Sequence, residues 1–205
     1  TVGRMALTGL GVCLPVIMII SAFAALLAMG GAPRASIAEG RGELAESERI
    51  MGNCFTLLVT ASIVLTVLIQ VFARPLLLTF GASANTIGYA LDYLRIYALG
   101  TIFVQVTLGM NAYITAQGFT TISMRTVLIG AILNTILDPI FIFGLHMGVR
   151  GAATATVISQ AVSAAWVLRF LTGPRTKWKL RRENLRPSAR VVLPCLALGL
   201  APFIM

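Results

Sequence analysis

The sequence predicts an all-α, polytopic membrane protein built as a helical bundle. Hydrophobic residues make up 58% of the 205 residues and charged residues only 11%, whereas soluble domains carry about 25% charged residues. Long apolar stretches recur along the chain, and about 20 such residues suffice to cross a bilayer as a helix. Turn-forming and charged residues gather between these stretches.

Six apolar segments are predicted as membrane spans. The first is too long for the core of a signal peptide, which has about 7–15 residues. Because the chain starts at Thr1 and stops inside an apolar segment, we expect it to be a fragment of a longer protein. The predicted spans cover residues 5–31, 51–73, 88–113, 122–145, 151–171 and 191–205.

The polar connections predict the orientation of these spans. The first connection, which we place between residues 30 and 49, shares a side with the third and fifth. These odd-numbered connections and their flanks hold twelve Lys and Arg residues, against two in the others. By the positive-inside rule, that side is the cytoplasm. The net charge of +9 therefore indicates a cytoplasmic loop around 175–190 and no nucleic-acid partner, with contact to anionic lipid as the alternative role.

One acidic residue, Asp138, lies well inside an apolar stretch. A charge in mid-membrane costs at least about 2.5–3.5 kcal/mol, which a cavity, a bound cation or a proton would offset. Asn134 lies one helical turn earlier on the same face. Pro139 has no N–H, so the carbonyl of Thr135 loses its helical partner. Carboxylate and amide oxygens beside a free carbonyl predict a site for Na⁺ or for a proton.

Depth in the membrane adds two candidates to this site. At 1.5 Å per residue, Asp138 lies about 10 Å below the outer end of its span, and Thr156 and Tyr93 about 8 Å below theirs. The alternatives are structural: Asp138 holds a kink at Pro139, Asn134 joins two helices, Thr156 bonds its own backbone, and Tyr93 is an interface anchor. Small residues from position 151 to 163 predict close helix packing.

Enzyme chemistry has no support in the sequence. It contains no Walker-type glycine loop, no paired catalytic carboxylates, no zinc-ligand spacing and no nucleophile elbow. We therefore predict no enzymatic activity and no cofactor beyond Na⁺ or H⁺ as a coupling ion. The only metal expected is a possible Na⁺ at Asp138.

The string of Gly, Asn and Asp-Pro in residues 130–144, followed by 148–160, resembles the MATE family of multidrug and toxic compound extrusion transporters. Residues 30–42, 93–96 and 116–118 add to a resemblance that covers nearly the whole chain. It implies the first lobe of a transporter with two six-helix lobes, without helix one and most of the second lobe. The implied regions are helices two to six in 1–172, a basic cytoplasmic interlobe linker in 173–190 and the start of helix seven in 191–205.

The resemblance also implies a function and a site. In the prokaryotic branch, a cation site uses an acid on helix one, an Asn and an Asp on helix five and a Thr on helix six, near a Tyr on helix four. Asn134, Asp138, Thr156 and Tyr93 occupy these positions, and the helix-one acid lies outside the chain.

The implied protein is a secondary active efflux antiporter of the bacterial inner (cytoplasmic) membrane. It would export organic, often cationic, drug-like compounds in exchange for Na⁺ or H⁺. Its other partners would be membrane lipid and the remainder of the same polypeptide. The alternatives are a lipid or polysaccharide-precursor flippase of the same superfamily and a non-transporting membrane scaffold.

Overall fold

The structure of the chain, a computed structural model, describes residues 3–204, with side chains described up to residue 200. These residues form helices joined by short connections, which confirms the predicted fold class. The elements are α1 (Arg4–Gly40), α2 (Leu44–Thr79), α3 (Ile87–Leu99), α4 (Thr101–Ala116), α5 (Thr120–Pro139), a π-helical turn (Ile140–Gly144), α6 (Val149–Leu171), a 3₁₀ turn (Arg182–Leu185) and α7 (Ala189–Ile204).

The described helices account for four membrane crossings, and for five if α3 and α4 together form one span. α1, α2, α6 and α5 with its π-helical turn are each long and apolar enough to cross a bilayer. α1 and α2 have 37 and 36 residues. At 1.5 Å per residue, each measures about 55 Å, well beyond the roughly 30 Å of a hydrocarbon core. These two helices therefore extend past the apolar segments that predicted them.

The connection predicted between residues 30 and 49 is almost entirely helical. Only residues 41–43 lie between α1 and α2, and Gly42 adopts a φ of 81°, which glycine tolerates without steric cost. Gly31, expected near a turn, lies inside α1, where a Cβ would overlap the hydroxyl of Tyr113. This glycine therefore permits close helix packing instead of reversing the chain.

The predicted segment 88–113 is two helices rather than one. α3 and α4 meet at Gly100 with an angle of 56°. Gly100 is buried, and a Cβ there would collide with the side chain of Val157 on α6. The missing side chain lets α6 lie directly against the bend, so a tertiary contact occupies the point where the helix breaks.

α1 lies at the centre of the bundle, because it packs against α2, α3, α4 and α7. Buried side chains form two clusters, one around Leu77 and Leu94 toward the predicted outer side and one around Leu58 and Met110 toward the inner side. α5 is the exception, since it packs mainly against α4 and α6 and has Thr126 as its one buried residue. The helix that carries Asp138 is thus the most open one described.

The segment between α6 and α7 is anchored to the bundle. The Oε1 atom of Gln117 accepts hydrogen bonds from the Thr176 hydroxyl at 2.8 Å and from the backbone N–H groups of Lys177 at 2.8 Å and Trp178 at 3.0 Å. The side chain of Trp178 is fully buried. This segment is therefore structured, and its role as an interlobe linker remains a prediction.

α7 lies against α1 through two glycines. A Cβ at Gly30 would overlap the carbonyl oxygen of Cys195, and a Cβ at Gly199 would overlap the carbonyl oxygen of Leu26. Arg34 of α1 also donates to the Cys195 sulfur at 3.1 Å. Without side chains at these two positions, the two backbones approach closely, which is how helices associate in lipid.

We predict that Gly30→Ala destabilises the full-length protein, because the added methyl group must displace the backbone of α7. Overpacking of this kind costs about 1–3 kcal/mol. The measurement is the melting temperature in detergent. Gly11→Ala is the matched control in the same helix, since no atom lies within 4 Å of its Cβ position. Equal melting temperatures for the two variants would contradict the prediction.

Candidate functional site between α5 and α6

A hydrogen-bond network joins three of the four predicted site residues. The Nδ2 atom of Asn134 donates to Asp138 Oδ1 at 3.2 Å, one turn further along α5. The same atom donates to Thr156 Oγ1 on α6 at 3.4 Å. Asn134 therefore bridges the carboxylate of one span to the hydroxyl of the next.

The hydroxyl group of Thr156 both donates and accepts a hydrogen bond. Its Oγ1 donates to the carbonyl of Ala152 in its own helix at 3.0 Å, which leaves a lone pair to accept from Asn134. Tyr93 of α3 is buried, stacks on Tyr97 with ring centroids 5.8 Å apart, and has its side chain beside Thr156. The structure thus gathers residues from three helices at one place.

The Asn134 amide is oriented differently from the sequence-based expectation. A cation would need its oxygen, yet the amide nitrogen points at Asp138 and Thr156. In this orientation the N–H groups stabilise the carboxylate. Rotation of the amide by about 180° would exchange its nitrogen and oxygen, which are nearly the same size.

Pro139 lies where regular α-helix changes into the π-helical turn. The proline has no N–H to continue the α-helical pattern, and the following turn instead closes a Leu145 N–H bond to Ile140 at 2.9 Å. α6 approaches this turn at Gly151, where a Cβ would lie 2.8 Å from the Phe141 carbonyl. The carboxylate of Asp138 therefore lies at a break in helical geometry. π-Helical turns of this kind are frequent at functional sites.

A cavity of about 260 Å³ opens beside the network, between α4, α5 and α6, and polar side chains interrupt its largely apolar lining. It extends from Asn134 toward the beginning of α5. The Oε1 atom of Gln160 has no hydrogen-bond partner in the described part of the chain. The hydroxyls around it donate to backbone carbonyls, so that mostly oxygen lone pairs remain for water or a cation. The other polar lining residues are Thr107, Thr126, Ser159 and Ser163.

Sequence reasoning missed this cavity, although the sequence contains a signal for it. Thr156, Ser159, Gln160 and Ser163 recur at intervals of three and four residues, which is the repeat of one helix face. The small residues among them had predicted close helix packing. The polarity that these four residues share on one face of α6 would also have predicted the polar side of the cavity.

The outer end of the site is tied by an ion pair that the sequence did not predict. Arg150 at the beginning of α6 donates to Asp92 of α3 at 3.0 Å. Asp92 directly precedes Tyr93, so this pair links the same two helices that present Tyr93 and Thr156. Among the described residues, no three His, Cys, Asp or Glu side chains lie together as a metal-binding group would.

A multi-pass helical bundle in which polar and acidic side chains join two spans is typical of membrane transporters. The chain belongs to the MatE family, whose model matches residues 1–140. It is 27% identical over 199 residues to multidrug export protein MepA of Staphylococcus haemolyticus, which covers 97% of this chain and 44% of that protein. The MepA protein of Staphylococcus saprophyticus is 28% identical over 143 residues, which cover 69% of this chain and 32% of that protein.

Solved structures agree with this assignment. An inward-facing multidrug resistance MATE family transporter superposes with a TM-score of 0.91 at 26% identity, over 97% of this chain and 45% of that one. An outward-facing structure gives 0.90 at 26% identity, over 97% and 44%. A MOP superfamily transporter from Pyrococcus furiosus, described as having a binding pocket of reverse polarity, also gives 0.90 at 26% identity, over 97% and 44%. The chain thus spans less than half the length of the relatives it matches.

Proposed function

We propose that the chain is part of a secondary active multidrug efflux antiporter. The complete transporter would export organic, often cationic, compounds across the bacterial inner membrane in exchange for Na⁺ or H⁺. Membership of the MatE family and the multidrug export proteins among the relatives support the export function. The Asn134–Asp138–Thr156 network carries the proposal of ion coupling, with Tyr93 beside it.

The charge of Asp138 is the reason to expect an ion at this place. Its described hydrogen-bond partner is the neutral amide of Asn134, and no described ion pair includes it. An uncompensated carboxylate at membrane depth costs several kcal/mol. A cation or a proton taken up from either side would remove that cost, and each would be held by the same group.

Ion binding would act on helix packing through Asn134. A bound Na⁺ requires oxygen ligands, so the amide would turn its oxygen inward and release the hydrogen bond to Thr156. That bond joins α5 to α6 close to the helical break at Pro139. Coupling requires different ion affinities in the two conformations, and each tenfold difference shifts their balance by about 1.4 kcal/mol.

We predict that Asp138→Asn abolishes ion-coupled efflux while leaving membrane insertion intact. The substitution keeps the shape of the side chain and removes its charge and its proton. Cells producing the full-length transporter are loaded with a fluorescent organic cation, and efflux is followed after imposing a Na⁺ or proton gradient. Glu183→Gln is the matched control, because it removes one carboxylate charge at an exposed position in the 3₁₀ turn after α6, outside the network. Unimpaired efflux by Asp138→Asn would refute the coupling role.

We also predict that Na⁺ or a lower pH raises the melting temperature of the full-length transporter. A ligand at 100 times its dissociation constant stabilises a protein by about 2.7 kcal/mol. Choline chloride at equal ionic strength controls for screening. Thr156→Val should weaken the Na⁺ response, because it removes one oxygen from the site. Thr154→Val should preserve it, because that hydroxyl bonds only the Arg150 carbonyl of its own helix.

This experiment rejects the coupling site only if neither Na⁺ nor pH has an effect on the melting temperature that depends on Asp138. If neither Na⁺ nor pH changes the melting of the wild type relative to Asp138→Asn, no ion binds there. A response to pH alone identifies H⁺ as the coupling ion.

A further inference from the structure

A second pocket lies at the opposite end of the α5–α6 pair. Its volume is about 310 Å³, and three arginines line it, namely Arg125 of α5, Arg169 of α6 and Arg175 of the segment after α6. Trp166 and Phe170 form part of its apolar wall. Three arginines next to an apolar wall are complementary to an amphiphile with an anionic head group.

The positive charge of this arginine pocket is not neutralised within the described part of the chain. None of the residues that line it is acidic, and none of its three arginines takes part in a described ion pair. Two acids instead pair with other basic residues of the segment after α6, Glu39 with Lys177 at 3.1 Å and Glu48 with Arg181 at 3.1 Å. An anion entering the pocket would therefore meet three free guanidinium groups.

The pocket lies at the level of the predicted cytoplasmic headgroups. Arg125 is five residues after the beginning of α5, or about 8 Å along the helix, and Arg169 is in the last turn of α6. Arginines at this depth place their charged ends among headgroups and their stems in lipid. Trp166 is 37% exposed beside them, and tryptophan favours the membrane interface.

Contacts from the bundle hold the walls of the pocket in place. Arg175 directly precedes the three residues that donate to Gln117, so the chain that carries it is fixed. Phe170 packs edge-on against Phe119, with ring centroids 5.1 Å apart. The pocket is therefore formed before any ligand arrives, which lowers the entropic cost of binding.

We propose that the arginine pocket binds the phosphate headgroup of an anionic phospholipid from the cytoplasmic leaflet. Planar guanidinium groups bind phosphate oxygens through paired hydrogen bonds, and three of them favour an anionic lipid over a zwitterionic one. An acyl chain would lie along the apolar wall beside Trp166. This inference depends on the predicted orientation and is independent of ion coupling at Asp138.

Fluorescence quenching tests the proposal on the full-length transporter in neutral detergent. Brominated phosphatidylglycerol should quench Trp166 saturably, and Trp166→Phe should lose this component, because Trp178 is fully buried. The combined variant Arg125→Gln, Arg169→Gln and Arg175→Gln should bind at least about tenfold more weakly, since each basic residue near the membrane contributes separately to lipid affinity. Brominated phosphatidylcholine should bind wild type as weakly as this variant binds phosphatidylglycerol.

A second triple variant controls for overall charge. Arg182→Gln, Arg186→Gln and Arg190→Gln remove the same charge from exposed positions outside the pocket and should preserve the affinity. Equal losses in both triple variants would show diffuse surface attraction and overturn the proposal, as would unchanged affinity in the pocket variant. If the pocket triple variant does not fold, Arg169→Gln alone must weaken binding.

Two further measurements distinguish a lipid from a soluble anion as the ligand, and the lipid site from the ion site. Inorganic phosphate should not displace the lipid at equal concentration, and displacement would assign the pocket to a soluble anion instead. Asp138→Asn should retain wild-type affinity for phosphatidylglycerol. The lipid site and ion coupling can therefore fail independently.

Discussion

The need to satisfy every backbone polar group without water governs this structure. In lipid, an unpaired N–H or C=O group costs several kcal/mol, so the chain forms helices wherever it crosses the membrane. α1 accordingly stays helical through Pro15 and Pro33, and α5 continues past Pro139 as a π-helical turn. Irregular backbone is confined to a few places, and the candidate ion site is beside one of them.

Once helices are formed, their association depends on close contact, because lipid tails are as apolar as the helix surfaces. Glycines provide that contact at Gly30 and Gly199 between α1 and α7, and at Gly151 between α6 and the π-helical turn. At the inner side, Gln117 adds hydrogen bonds that attach the basic segment to the bundle. The close contacts of α1, α6 and α7 therefore lie in the same bundle as the open surface of α5.

The proposed ion site and the proposed lipid site lie at opposite ends of the α5–α6 pair. The outer end has Asp138 hydrogen-bonded by an amide, and the inner end has three arginines beside a tryptophan that form no ion pair among the described residues. Between them lies the cavity lined in part by Gln160. The two proposed roles fit these charges, because an acid at membrane depth is suited to a cation and arginines at the predicted cytoplasmic level are suited to anionic headgroups.

The sequence by itself determined the apolar parts of the helices, the family, and the shared helix face of Asn134 and Asp138. Hydropathy and helical repeat are local properties, and residues four apart share a helix face in any packing. Only the tertiary structure brought Thr156 to Asn134, turned the amide nitrogen inward, bent the third span at Gly100 and gathered three distant arginines into one pocket. Those features depend on which helices are lateral neighbours and how closely they approach, and hydropathy records neither.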